Sequence, residues 1–418
     1  MDISSTMRQQ SVGYFGFCKQ LIYWLMLVLM LLSTCAFEWM YAAFGTVTLS
    51  SDVRVATLLF LHMLLFSGFQ LFSGVLLDNR GSRVLLPMAA AYVFVGMVMQ
   101  IFTNVQNFPI MGLISQIFFT FGASFNFIGI DYLSVGFFRA SLVGTTVGIA
   151  QMAYGALYVL AWYLARYYAP FLTQNFTLLV WCVAVVQLLI FFVMLCVTST
   201  PEAYKYCISD SRLQLVQILR HAWDVARRPM VLLVSLVAGM EFGIFFALAG
   251  VLFYKISANI GSIVSAYSWV GFAIGALFFA SAPMLFKWKS LSILLATGLL
   301  QGVVLLLLAL VIKSLPLGEV VSYLFYVSCV LAVLFGFFSG GHMAAFTEGV
   351  RIVEKKSITT FFSVLNGYMC VLAGLVLMGL TLLMQFAALL DLLVITSVAT
   401  IAYYLFVGRG GRVCEAAT

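Results

Sequence analysis

The chain has 418 residues, of which 64% are hydrophobic and 8% charged, and its mean hydropathy is +1.12. No soluble domain of this size could hide so much apolar surface, so a water-soluble fold is excluded. The net charge of +7 reads as membrane orientation bias, not as a nucleic-acid signal. The eight cysteines are scattered and form no CxxC pair, which argues against a disulfide framework or a metal site.

A membrane-spanning helix needs roughly 20 apolar residues. Polar or Gly/Pro breaks cut the sequence into twelve such runs, near 21–46, 54–77, 84–103, 109–131, 141–165, 176–198, 230–254, 261–285, 290–313, 319–342, 358–380 and 386–407. The first is read as a span and not as a removed signal peptide, because no small-residue cleavage site follows it. The expected fold is all-α: two six-helix bundles related by a pseudo-two-fold axis, at 1–198 and 230–418. Between them lies a polar linker, 199–229, with a short amphipathic helix (Leu213, Val216, Leu219, Trp223) lying at the headgroups.

With both termini cytoplasmic, seventeen of the 21 Lys and Arg residues fall on the cytoplasmic side. Only Arg54, Arg166, Lys255 and Lys313 fall outside. The expectation is therefore cytoplasmic termini, and the short loops point to a bacterial inner membrane. Internal echoes support the six-plus-six repeat. Thr145-Thr146 leads to Tyr154 in span five, and Thr359-Thr360 leads to Tyr368 in span eleven at the same internal distance. Gly144/Gly148 in span five and Gly271/Gly275 in span eight each follow G-x-x-x-G, and are expected to bring those two spans together across the halves.

Glu38 and Glu241 are lone carboxylates inside the first apolar runs of the two halves. An ionisable group inside a membrane usually marks a solute or proton path. A carboxylate in a low-dielectric setting can be tuned to load and release a proton near neutral pH. Both are therefore candidate proton-coupling residues. Alternatively, each braces helices or binds a cationic group of the solute.

Between spans two and three stands Gly74-Val-Leu-Leu-Asp78-Asn-Arg80-Gly81-Ser-Arg83. This resembles the signature loop of the Major Facilitator Superfamily, roughly G-x-L-x-D-R-x-G-R-R. Gly74 allows close helix approach, Asp78 suits the positive end of a neighbouring helix, and Gly81 supplies the turn. The resemblance implies that Gly74, Asp78, Arg80, Gly81, Arg83 and Asp131 form a conformational gate, with Arg83 paired to Asp131. Asn79 stands where the pattern has Arg, and Ser82 departs as well. The spacing is closer to uptake branches, such as amino-acid-like and monocarboxylate-like carriers. Span five also lacks the Gly-Pro motif of drug/proton antiporters.

In this superfamily a central cavity is expected between spans one, four, seven and ten, with help from five, eight and eleven. Its candidate lining is Trp39, Tyr41, Asn126, Gln151, Tyr154, Trp269, His342, Asn366 and Tyr368; His62 is a further, weaker candidate. No Arg lies deep in a span, which argues against a phosphate or dianion exchanger.

The expected function is proton-coupled transport of a small polar or zwitterionic nutrient, such as an amino acid, by a monomer in the bilayer. Its partners are the solute and protons; no cofactor is expected. Without a P-loop, ATP is not the fuel, and without HExxH or G-x-S-x-G the chain does not read as an enzyme. The competing readings are an exporter of a siderophore-like or amphipathic compound, and a non-transporting membrane sensor on the same fold. A sensor would carry a long soluble extension.

Overall fold

The computed structural model describes residues 14–44, 52–102, 111–199, 215–256, 260–314, 323–354 and 357–415. Among them every regular element is helical. In chain order the helices are α1 (Tyr14–Phe44), α2 (Asp52–Arg80), α3 (Ser82–Ile101), α4 (Leu113–Phe137), α5 (Ala140–Gln174), α6 (Phe176–Val197), α7 (Leu215–Ala226) and α8 (Pro229–Phe245). They continue with α9 (Ile260–Leu285), α10 (Ser290–Lys313), α11 (Tyr323–Ser339), α12 (Ala344–Ile352), α13 (Ile358–Leu383) and α14 (Leu389–Glu415).

Among the described residues, eleven segments are long and apolar enough to cross a membrane. The twelfth span is α2. It is as long as its neighbours but carries buried Ser67, Gln70, Ser73 and Asp78. These polar groups face other helices instead of lipid.

Helices before α7 pack mainly on one another, as do those after it. Two long seams join the groups, α2 against α13 and α5 against α9. Both depend on missing side chains. A Cβ at Gly74 would overlap the Ser363 hydroxyl and the Thr359 carbonyl, and one at Gly144 would overlap the Ala280 carbonyl. Gly148 likewise packs on Ala280 and Leu277 of α9.

The structure corrects the partner expected for Gly271 and Gly275. They pack on the backbone of Val333 and Phe337 in α11, within their own half. The two glycines therefore lie on a different face of α9 from the one that Gly144 and Gly148 of α5 pack against.

Two spans of the second half are irregular. After Glu241, α8 runs into a π-helical turn, Phe246–Val251. Span ten, expected to end near residue 342, breaks into a 3-10 turn at Gly340–Met343 and continues as α12. In the first half, α5 kinks at Tyr168, two residues before Pro170, whose ring cannot fit the helix interior.

The linker helix α7 lies against α2 and α13. Ala222 packs on Val75, and His221 Nε2 lies 3.5 Å from the Ser357 hydroxyl. Val216, Leu219 and Trp223 are exposed, while Leu213 lies outside the described residues. The turn after α2 uses Gly81 at φ 73°, a left-handed conformation that favours glycine.

Replacing Gly275 by Val should destabilise the protein by roughly 1–3 kcal/mol, the usual cost of overpacking a close contact. Thermal unfolding of the purified variant measures it. A melting point equal to the parent's would show that α9 and α11 can separate freely.

Candidate functional site

A cavity of about 130 Å³ lies at the junction of the two helix groups. Its walls come from α1 (Thr34, Cys35, Glu38), α2 (His62, Met63, Phe66), α4 (Asn126, Phe127) and α5 (Gln151, Tyr154, Tyr158). The second half adds Phe242 and Phe246, with Asn366 and Cys370 from α13.

Glu38 faces this cavity from the C-terminal part of α1. Its Oε1 lies 3.5 Å from Nε2 of His62. The Gln116 amide approaches His62 Nδ1 at 2.7 Å and also donates to the Thr120 hydroxyl. With the amide as donor, Nδ1 is the acceptor and the ring proton sits on Nε2, towards Glu38. A chain of polar contacts thus links α1, α2 and α4. It can hold a proton or a cationic group against a carboxylate at the cavity edge.

Of the other expected lining residues, Asn126, Gln151, Tyr154 and Asn366 all reach the cavity. Asn126 donates to the Thr34 hydroxyl at 2.8 Å, and its Oδ1 has no partner. Trp269 does not line it. It is buried one layer behind, stacked face to face on Tyr158 at 4.2 Å and edge-on to Tyr154. Trp39 and Tyr368 are half-buried in the surrounding packing and do not line the cavity. The side chain of Tyr41 lies outside the described residues.

The face carrying the α2–α3 turn and α7 is closed. Asp78 Oδ2 accepts from the backbone N–H of Thr360 at 2.8 Å and from its hydroxyl at 2.7 Å. Thr360 is in the first turn of α13, where N–H groups lack intrahelical partners. Ser357, at the N-cap, makes no side-chain cap, so Asp78 supplies one from the other half, where a negative charge also suits the helix dipole. On the second seam, Thr145 of α5 and Ser281 of α9 share a hydrogen bond of 3.0 Å. Phe127 meets Phe346 of α12 edge to face at 5.3 Å and closes the floor between them.

Other parts of the expected gate behave differently. Arg80 and Arg83 are exposed. Asp131 is fully enclosed and neither of its oxygens has a hydrogen-bond partner. The expected Arg83–Asp131 ion pair is therefore not made. Instead the Arg83 carbonyl accepts from Thr198, and the Tyr23 hydroxyl donates to the Ser82 carbonyl. These bonds pin the turn to α1 and α6.

Glu241 is fully enclosed within the second half and does not reach the cavity; the next residue, Phe242, does. His342 is also enclosed there. Its Nδ1 lies 2.7 Å from the Ser339 carbonyl, and its ring stacks on Phe272.

Sequence reasoning missed Thr34, Tyr158 and Gln116, which carry no motif. It also missed Thr360 as the partner of Asp78. The Thr359-Thr360 doublet was visible as a repeat marker, but its partner is 282 positions away.

No family model matches the chain, and no curated relative does. Solved structures do share its fold. The human organic anion transporter MFSD10 (TETRAN) superposes with a TM-score of 0.69 at 11% identity, over 93% of this chain and 98% of that one. The E. coli fucose:proton symporter FucP gives 0.66 at 11% identity, over 94% and 98%. The common architecture is the twelve-helix Major Facilitator Superfamily fold.

Asp78→Ala should release the start of α13. Hydrogen–deuterium exchange over residues 358–364 is expected to accelerate about tenfold or more, as a lost charge-assisted bond is worth roughly 1.5–3 kcal/mol. Unchanged exchange there would remove Asp78 from the closure of this face.

Proposed function

We propose that this chain, which has the Major Facilitator Superfamily fold, is a secondary active transporter coupling a proton to the movement of a small polar solute. The observation that carries the reading is the cavity between the helix groups, where Glu38 and His62 face three amide side chains. One end of that path is shut by hydrogen bonds that an alternating cycle can break and remake.

The chemistry of the walls supports a neutral or zwitterionic cargo. Asn126, Gln151 and Asn366 each offer donors and acceptors, and Phe66, Phe127, Phe242 and Tyr158 offer apolar faces. None of the described lining residues is Arg or Lys, so a carboxylate or phosphate would find no fixed cation there. A cavity of about 130 Å³ suits a compact solute such as an amino acid. The shared fold with a fucose:proton symporter is in keeping with proton coupling.

In this reading Glu38 carries the proton. Protonated, it leaves the cavity without net charge while the halves rock. Once open to the other side, it loses the proton to His62 or to water. The direction is uptake across a bacterial inner membrane, with both termini cytoplasmic and bundles at 1–198 and 230–418 moving about the 199–229 linker. Asp78 and Thr360 then latch the cytoplasmic face. Arg80 and Arg83, exposed beside that latch, attract the anionic leaflet.

Glu38→Gln should abolish accumulation driven by an imposed pH gradient in proteoliposomes, while substrate exchange without a gradient persists. Normal accumulation by this variant would end the coupling role. Asn126→Ala and Asn366→Ala should each weaken solute binding about five- to tenfold, the loss of one hydrogen bond worth roughly 1 kcal/mol. Ligand-induced thermal stabilisation, screened against amino acids, sugars and nucleosides, measures both the cargo and these losses.

A further inference from the structure

The linker helix α7 has two opposite faces. Ala222 and Val225 are buried on one of them, with His221 beside them. On the other side Val216, Leu219, Arg220, Trp223 and Arg227 are all exposed. Their spacing of three or four residues makes them one stripe.

The buried face spans the seam between the halves. Ala222 packs on Val75 of α2, and His221 Nε2 lies 3.5 Å from the Ser357 hydroxyl at the start of α13. Val75 precedes Asp78 by less than one turn, and Ser357 precedes Thr360 by as little. Asp78 and Thr360 make the bonds that close this face. α7 therefore grips both halves beside that latch. It cannot keep both contacts if α2 and α13 part.

The exposed stripe is ill suited to water. Val216 is 71% exposed, Trp223 65% and Leu219 46%, and they share one side of a 12-residue helix. Aliphatic side chains, a tryptophan and arginines together are the composition of a helix seated in a headgroup layer. The charge on the stripe is positive: Asp224 is tied to Arg227 at 2.9 Å, and Arg220 adds to it. Arg80 and Arg83 are exposed on the same face of the molecule. An anionic surface complements this charge. A helix as short as α7 is marginal by itself, so a surface that orders it from outside strengthens its grip inside. The two faces are opposite, and the membrane does not compete with the seam.

We infer that α7 is a strap between the two halves, held on its outer face by anionic phospholipid headgroups, so that the charge of the leaflet sets how firmly the Asp78–Thr360 latch stays shut. The inference rests on the transport reading only in taking this face as one that opens. It needs neither the cargo nor Glu38.

The test uses purified full-length protein in nanodiscs, without solute or pH gradient. The lipid is phosphatidylcholine alone or phosphatidylcholine mixed with phosphatidylglycerol. Hydrogen–deuterium exchange is read over residues 215–226 and 358–364. Phosphatidylglycerol should slow both segments about fivefold, the factor carried by one arginine at an anionic surface. Arg220→Gln combined with Arg227→Gln, both at exposed positions, should remove the slowing in both segments. Ala222→Gln, which wedges α7 away from Val75, should keep it over 215–226 and lose it over 358–364. The inference is overturned by equal exchange in the two lipids, which is also the result expected if the stripe docks a protein. It is overturned equally by faster exchange over 358–364 with phosphatidylglycerol, by a double arginine variant that keeps the parental response, or by an Ala222→Gln latch that still follows the lipid. None of these results bears on Glu38, and normal accumulation by Glu38→Gln leaves the strap standing.

Discussion

The Asp78 carboxylate reaches across from one helix group to cap the first turn of α13 in the other. Everything on that face is arranged around this contact. Gly74 lets α2 approach closely enough for it, and Gly81 turns the chain sharply after it. The linker helix α7 is laid over the same seam through Ala222 and Val75. Its energetic logic is that of any buried polar group: an uncapped helix start and a buried carboxylate are each costly alone, and the Thr360 donors and Asp78 Oδ2 satisfy one another. With that face closed, the space left between the groups becomes the cavity containing Glu38.

The two membrane carboxylates occupy matching places in sequence and opposite situations in space. Glu38 projects to the boundary between the groups, where His62 and Gln116 extend it into a polar chain. Glu241 projects inward to its own half, beneath a glycine and beside an interrupted helix. The neighbour of Glu241 in sequence, Phe242, takes the cavity wall instead. A rotation of one residue about the helix axis separates a group that lines the cavity from one enclosed by protein.

That rotation is what hydropathy could not supply. The number of spans, their order and the turn after α2 were legible because length, charge and glycine placement leave few alternatives. Asn126, Gln151, Tyr154 and Asn366 were legible as lining because polar groups in apolar helices must turn from lipid. Trp269 and Trp39, expected as aromatic walls, and His342 and Tyr368, expected as polar lining, are not there. A helix apolar on all sides, such as α8, carries no moment to say which face looks where. Arg83 and Asp131 were matched by motif, yet burial of one and exposure of the other keep them apart. Gly271 and Gly275 turned out to serve α11 because α9 packs on both sides and spacing cannot name the partner.

The seams that join the halves are unlike in strength. One is fastened by a carboxylate oxygen receiving two donors, the other by one hydroxyl donating to another between close-packed glycine-lined surfaces. A charged acceptor binds about twice as strongly as a neutral one. The molecule is therefore lopsided. The α5–α9 side is a close-packed surface held by one neutral bond, while the α2–α13 side is a clasp in which a carboxylate ties down the start of a helix.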